Sequence, residues 1–150
     1  MTDEVKNGYL SGQMSGIDGY NFPEFHRNTE MLRETGWHIF NPAEFDGVAD
    51  PKFTDEDLRW RYFLTRDVRI LMDLNLTHIL FLPGWQKSRG ARLEAIIGME
   101  LMGLRGAQIV ESQRGFALMP LKITHFGIEA VMSYPDCVRK THKNDQLIVG

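Results

Sequence analysis

The run Thr77-His78-Ile79-Leu80-Phe81-Leu82, stopped by Pro83-Gly84, constrains this chain most. Successive side chains of a strand point to opposite faces of a sheet, so a nearly continuous apolar run needs cover on both sides, as in a buried parallel sheet. A helical pattern follows from Ser88 to Met102, with Gly103 as its stop. The same alternation runs through the rest of the chain. Gly8-Tyr9-Leu10-Ser11 is a short strand leading into the glycine-rich loop Gly12-Gln13-Met14-Ser15-Gly16-Ile17-Asp18-Gly19. Pro23 suits the first turn of a helix with Phe22, Phe25, Thr29 and Leu32 inward, ended by Gly36. Trp37 to Phe40 is a second strand, closed by Asn41-Pro42-Ala43-Glu44. Thr54 and Asp57 resemble a capping box opening a helix through Leu58, Tyr62, Thr65 and Val68 to about Leu71, and Ala107 to Val110 reads as a fourth strand. This order predicts an α/β fold, a single-domain doubly wound (Rossmann-like) parallel sheet with flanking helices, with ligands beyond the carboxyl ends of the strands.

Length and composition bound the rest. With 150 residues, 43% of them hydrophobic, one domain with its own core is expected over 1–150, the core at about 8–115 and an extension at 116–150. That extension reads as mixed helix and coil with a polar end from Thr141 to Gly150. The net charge of −3, with its basic residues scattered, excludes a track for a nucleic-acid backbone. A single cysteine, Cys137, excludes an internal disulfide and a cysteine-rich zinc site. His26, His38, His78, His125 and His142 show no ligand spacing, so no metal and no cofactor is expected. No signal-peptide pattern and no membrane-spanning run is evident, so a cytoplasmic protein without a membrane partner is expected.

The candidate chemistry gathers at the sheet edge. Glu94 lies one helical turn past the Ser88 loop, with Ala91, Ile97, Gly98 and Leu101 on or near its face. It reads either as a nucleophile or as a carboxylate complementing the helix dipole. Ser88 reads as a helix cap or a phosphate ligand, and Asp67 as an acid or a solvated helix charge. The glycine-rich loop has neither the Gly-Lys-Ser/Thr of a Walker loop nor a dinucleotide fingerprint, and serves either turn geometry or phosphate binding. Lys87, Arg89 and Arg92 form a basic cluster beside Ser88, either solvated or assisting an anion. Trp85 either packs at the strand end or borders a base pocket.

Taken in order, Tyr9-Leu10-Ser11-Gly12, Asn21-Phe22-Pro23, Asn41-Pro42-Ala43-Glu44, Arg66-Asp67 and the run from Leu82 to Glu94 resemble the nucleoside 2-deoxyribosyltransferase-like superfamily. The likeness covers about Gly8 to Val110 and is greatest to its small phage and prophage members. It implies cleavage of an N-glycosidic bond, with Glu94 attacking the anomeric carbon, Asp67 assisting at sugar and base, and Tyr9 holding Glu94 or the sugar. It further implies substrate binding by Ser11, Gly12, Met14, Ser15, Gly16, Asn41, Trp85, Ser88 and Gly90. Oxocarbenium chemistry asks for these residue types: one carboxylate to trap the sugar, and a second acidic group, with a pKa raised by burial, to protonate the leaving base.

Ser88 separates two branches of that superfamily. The base-exchanging transferases usually carry an aspartate there, and the hydrolases of nucleoside 5′-monophosphates carry a serine. A carboxylate repels a 5′-phosphate, whereas a hydroxyl binds one. The expected activity is therefore an N-glycosidase acting on (deoxy)nucleoside 5′-monophosphates. The alternatives are a nucleoside 2-deoxyribosyltransferase and a non-catalytic protein that binds or sequesters nucleotides. A homo-oligomer is also implied, although Glu111-Ser112-Gln113-Arg114 matches no partner-completing motif and no residue selects the base.

Overall fold

The computed structural model describes residues 4–45, 54–73, 75–124, 127–131 and 146–149. In chain order the main elements are β1 (Asn7–Ser11), α1 (Phe22–Glu34), β2 (His38–Phe40), α2 (Glu56–Asp73), β3 (His78–Phe81), α3 (Arg89–Ala95) and β4 (Arg105–Ser112). Strands β5 (Gly115–Thr124), β6 (Gly127–Val131) and β7 (Gln146–Val149) complete a seven-stranded sheet of order β2-β1-β3-β4-β5-β6-β7. Strands β2, β1, β3 and β4 pair in parallel, and β4 to β7 are antiparallel. The chain leaves β1 for β2 on one side and crosses back to β3 on the other. That reversal opens a crevice at the carboxyl ends of β1 and β3, where sheets of this class hold ligands.

Strand periodicity explains how both faces are covered. Tyr9, Ile79 and Phe81 pack with Leu71 of α2 and with Ala91 and Ala95 of α3. Leu10, Leu80 and Leu82, one residue out of phase, pack with Phe25 and Leu32 of α1. Each such fully buried aliphatic or aromatic side chain contributes roughly 1.5–3 kcal/mol. In α1 the expected Pro23 lies in the first turn, and Phe25, Thr29 and Leu32 are buried. Gly36, at φ +96°, turns the chain so that its N–H reaches the Arg33 carbonyl at 3.2 Å and the Trp37 N–H reaches Leu32 at 3.2 Å.

Three expectations are corrected. The first concerns α2, which is capped by Asp55, whose Oδ1 accepts from the Asp57 N–H at 2.8 Å, and not by Thr54. Along this helix Leu58 and Tyr62 are 53% and 44% exposed, while Asp67 and Leu71 are buried.

The helix expected from Ser88 to Met102 is α-helical only to Ala95 and continues as a π-helix over Ile96–Leu101. Bonding from i to i+5 widens the turn, which carries Leu101 off the face of Glu94 and leaves it 63% exposed.

The expected Rossmann-like α/β arrangement is present in the parallel strands β2, β1, β3 and β4, and antiparallel strands extend it. The segment expected as helix and coil beyond Phe116 instead contributes β5, β6 and β7. A two-residue turn, Gln113-Arg114, joins the paired Ser112 and Gly115. Buried Met119 and Leu121 alternate with exposed Pro120 and Lys122, and Pro120 inside the run hides that alternation from a reader of the sequence. His125, Cys137 and His142 lie outside the described residues. Among the described residues no helix is long and apolar enough to cross a membrane.

Candidate active site

Because Tyr9 and Ser11 are alternate residues of β1, their side chains share one face of the sheet, toward α3. The Tyr9 hydroxyl donates to Glu94 Oε2, and the Ser11 hydroxyl donates to Oε1 at 3.0 Å. Both oxygens of Glu94, which is 7% exposed, are thus engaged from the sheet side. Asp67 of α2 is also buried, and its Oδ1 accepts from Arg66 Nε at 2.8 Å and Nη2 at 2.7 Å.

These neighbours set the charges. Burial, and then the Asp67 carboxylate, push the Glu94 carboxyl up to about 8, against the opposing hydrogen bonds from Tyr9 and Ser11 and the charge of Arg66. Burial, with Glu94 and Asp67 nearby, holds the Tyr9 phenol well above its ordinary range. At neutral pH Tyr9 is therefore a donor, and Glu94 holds a proton more tightly than an exposed carboxyl does.

A cavity of about 300 Å³ opens over this pair. One wall comes from the loop after β1 and the start of α1, through Gly12, Met14, Ser15, Tyr20 and Phe22. A second is one face of α2, through Glu56, Arg59, Trp60, Phe63, Leu64 and Asp67, and the third is Ser88, Gly90, Ala91 and Glu94. Gly12 admits the loop because a Cβ there would stand 3.0 Å from Leu82. Ser88 caps α3 by accepting from the Ala91 N–H at 3.1 Å. Its own hydroxyl hydrogen can still donate to a ligand. The Arg59 guanidinium lies 5.5 Å over Tyr20 and 5.1 Å over Phe63, and Arg89 lies 4.1 Å over Trp60.

Most expected residues meet here. Glu94, Asp67, Gly12, Met14, Ser15, Ser88 and Gly90 line the cavity, and Tyr9 and Ser11 hold Glu94 from the sheet. Gly16, Asn41 and Trp85 are not in the lining. Trp85 is fully buried, its ring tilted against that of Phe81 with centroids 4.3 Å apart, and donates from Nε1 to Gln108 Oε1 at 3.1 Å, which makes it a core residue. Asn41 is spent on the turn after β2, where Oδ1 accepts from the Ala43 N–H at 2.9 Å. Arg92, of the basic cluster, donates to the Gln86 carbonyl at 2.8 Å.

The aromatic wall escaped the sequence reading. Glu56, Trp60, Phe63, Leu64 and Asp67 recur at helical spacing, a pattern that marks one face of α2. Among the described residues no group of three or more His, Cys, Asp or Glu side chains could hold a metal ion.

Residues 6–104, most of the chain, match the family described as Domain of unknown function (DUF4406), and the chain belongs to that family. No curated protein and no solved structure matches it.

Proposed function

We propose that this member of the DUF4406 family is an N-glycosidase that hydrolyses the base–sugar bond of (deoxy)nucleoside 5′-monophosphates, with Glu94 as nucleophile. The observation that carries the reading is the buried carboxylate of Glu94, engaged by Tyr9 and Ser11 and lining a cavity of about 300 Å³ together with Asp67. A cavity of that size is at the small end of the range for ligand sites.

In this reading ionised Glu94 attacks C1′ as the C1′–N bond breaks and its electron pair leaves on the base. Water then cleaves the sugar–Glu94 ester and frees the sugar 5-phosphate. Ser88 supplies a hydroxyl donor for the phosphate, and the loop Gly12 to Ser15 lies against the sugar. The aromatic wall of α2 offers a surface for a planar base. The motif likeness to the nucleoside 2-deoxyribosyltransferase-like superfamily supports the same chemistry, and with it a homo-oligomer acting in the cytoplasm.

Incubating the full chain with a panel of ribo- and deoxynucleoside 5′-monophosphates, and assaying free base and sugar phosphate, tests the proposal. Base release from at least one monophosphate is expected. Tight binding without release from any of them would make the protein a nucleotide binder. Formation of an exchanged nucleotide when a second free base is added would make it a transferase.

A further inference from the structure

We infer that Arg66 is a positioning residue that keeps Asp67 a permanent anion in the cleft, so that Asp67 steadies the positive sugar centre and hands no proton to the departing base. The inference rests on the N-glycosidase reading and assigns a role within it.

Both Nε and Nη2 of Arg66 donate to one oxygen, Oδ1 of Asp67, at 2.8 and 2.7 Å. An oxygen that accepts two charge-assisted hydrogen bonds is favoured in its ionised form, and a proton placed on it would face two donors. The side chains are 23% and 12% exposed, so solvent and salt screen the pair only weakly.

Arg66 is itself anchored. Its guanidinium lies 5.1 Å over the ring of Phe63, which lines the same cavity from the preceding turn of α2. Neighbouring residues on a helix point about 100° apart, since 3.6 of them complete a turn. Arg66 thus approaches Asp67 from the flank, while Asp67 lines the cleft.

Two carboxyl groups, Asp67 and Glu94, line the one cavity. Glu94 is faced by Tyr9 and Ser11 from β1 and by Asp67 and Arg66 from α2. When two carboxyls share a site, one keeps a proton that the other has lost. Arg66 decides which, and the resting proton falls to Glu94. On the path to reaction Glu94 releases that proton to solvent and closes a bond to C1′. The C1′–N electron pair leaves on the base, and the base takes its proton from water. Asp67 is an anion before and after.

The test compares base release by the unaltered chain and by Asp67→Asn across deoxyuridine 5′-monophosphates whose bases differ in acidity, such as unsubstituted and 5-halogenated uracils. Loss of an electrostatic stabiliser is expected to slow every substrate by a similar factor, on the order of 100-fold. A loss that grows as the base becomes a poorer leaving group would make Asp67 the acid and overturn the inference.

A second measurement needs no turnover. In the carbon NMR spectrum of the chain labelled at its Asp carboxyl carbons, the Asp67 signal is expected to stay ionised from pH 8 down to pH 5, and to titrate within that window in Arg66→Met. Arg66→Lys, which keeps the charge, is expected to restore the ionised signal. An Asp67 that is protonated near neutrality in the unaltered chain, or that titrates identically in Arg66→Met, would overturn the role of Arg66. Absence of base release from every substrate defeats the N-glycosidase reading instead, and the spectrum still decides the state of Asp67.

Discussion

The phenol of Tyr9 and the carboxylate of Glu94, 85 residues apart in the chain, share a buried hydrogen bond that ties the first strand to the helix after the third. The donor stabilises the ionised form of Glu94, which is the form a nucleophile needs.

Tyr9→Phe removes that donor and leaves the ring in the core. Glu94 then ionises less readily, so kcat/KM for base release is expected to fall about 10-fold, and its rise with pH to move to higher pH. Steady-state kinetics over pH 6–10 check both. An unchanged profile would reduce the bond to packing.

In the unaltered chain kcat/KM is expected to rise through a pH of about 8, because Glu94 must lose its proton before it attacks. Asp67→Asn takes away the negative neighbour that resists this loss. The rising limb therefore moves down in pH even as the maximal rate falls. A limb that stays in place would mean that another group controls it.

Stability follows the same group with a defined sign. Folding raises the Glu94 carboxyl from 4.5 to about 8, so its stabilising contribution is complete below pH 4.5 and is lost as pH rises through 8. Glu94→Gln escapes that loss. Relative to the unaltered chain its Tm is expected to be higher at pH 9 than at pH 5, by an energy on the order of 3 kcal/mol. At roughly 2–4 °C per kcal/mol the difference is visible in thermal scans, and base release from the same variant should be abolished.

Ser88→Ala tests cap and ligand together. Loss of the bond to the Ala91 N–H is expected to cost about 1 kcal/mol of stability. If the hydroxyl also meets phosphate, KM for a nucleoside 5′-monophosphate rises while KM for the parent nucleoside does not. A Tm shift with both KM values unchanged would leave Ser88 a cap alone.

The legible parts of the fold were those written in local chemistry. The apolar run Thr77 to Leu82, the Pro83-Gly84 stop and the Gly36 stop announced strand, turn and helix without help from distant residues. Glu94, Asp67 and Tyr9 were found through an ordered set of short motifs. Tertiary packing hid the rest. The buried face of α2 depended on which of its aromatic sides met α3, and the π-helical turn after Ala95 broke the period that had placed Leu101 beside Glu94. Trp85 and Asn41 carried ambiguous polar groups, and the core and a turn took them before any ligand could. Strand β5 was masked by Pro120, and its signal lay in the two-residue turn Gln113-Arg114.

Strand β1 pairs with β2 on one side and β3 on the other, and it presents Tyr9 and Ser11 to Glu94 only in that alignment. Sliding it by one position would put Leu10 between Gly8 and Gly12 on that face, removing both hydroxyls from Glu94 at a stroke. A deletion of one residue inside β1 therefore silences the site without touching Glu94 itself, and correct assembly of the sheet and readiness for chemistry become a single event.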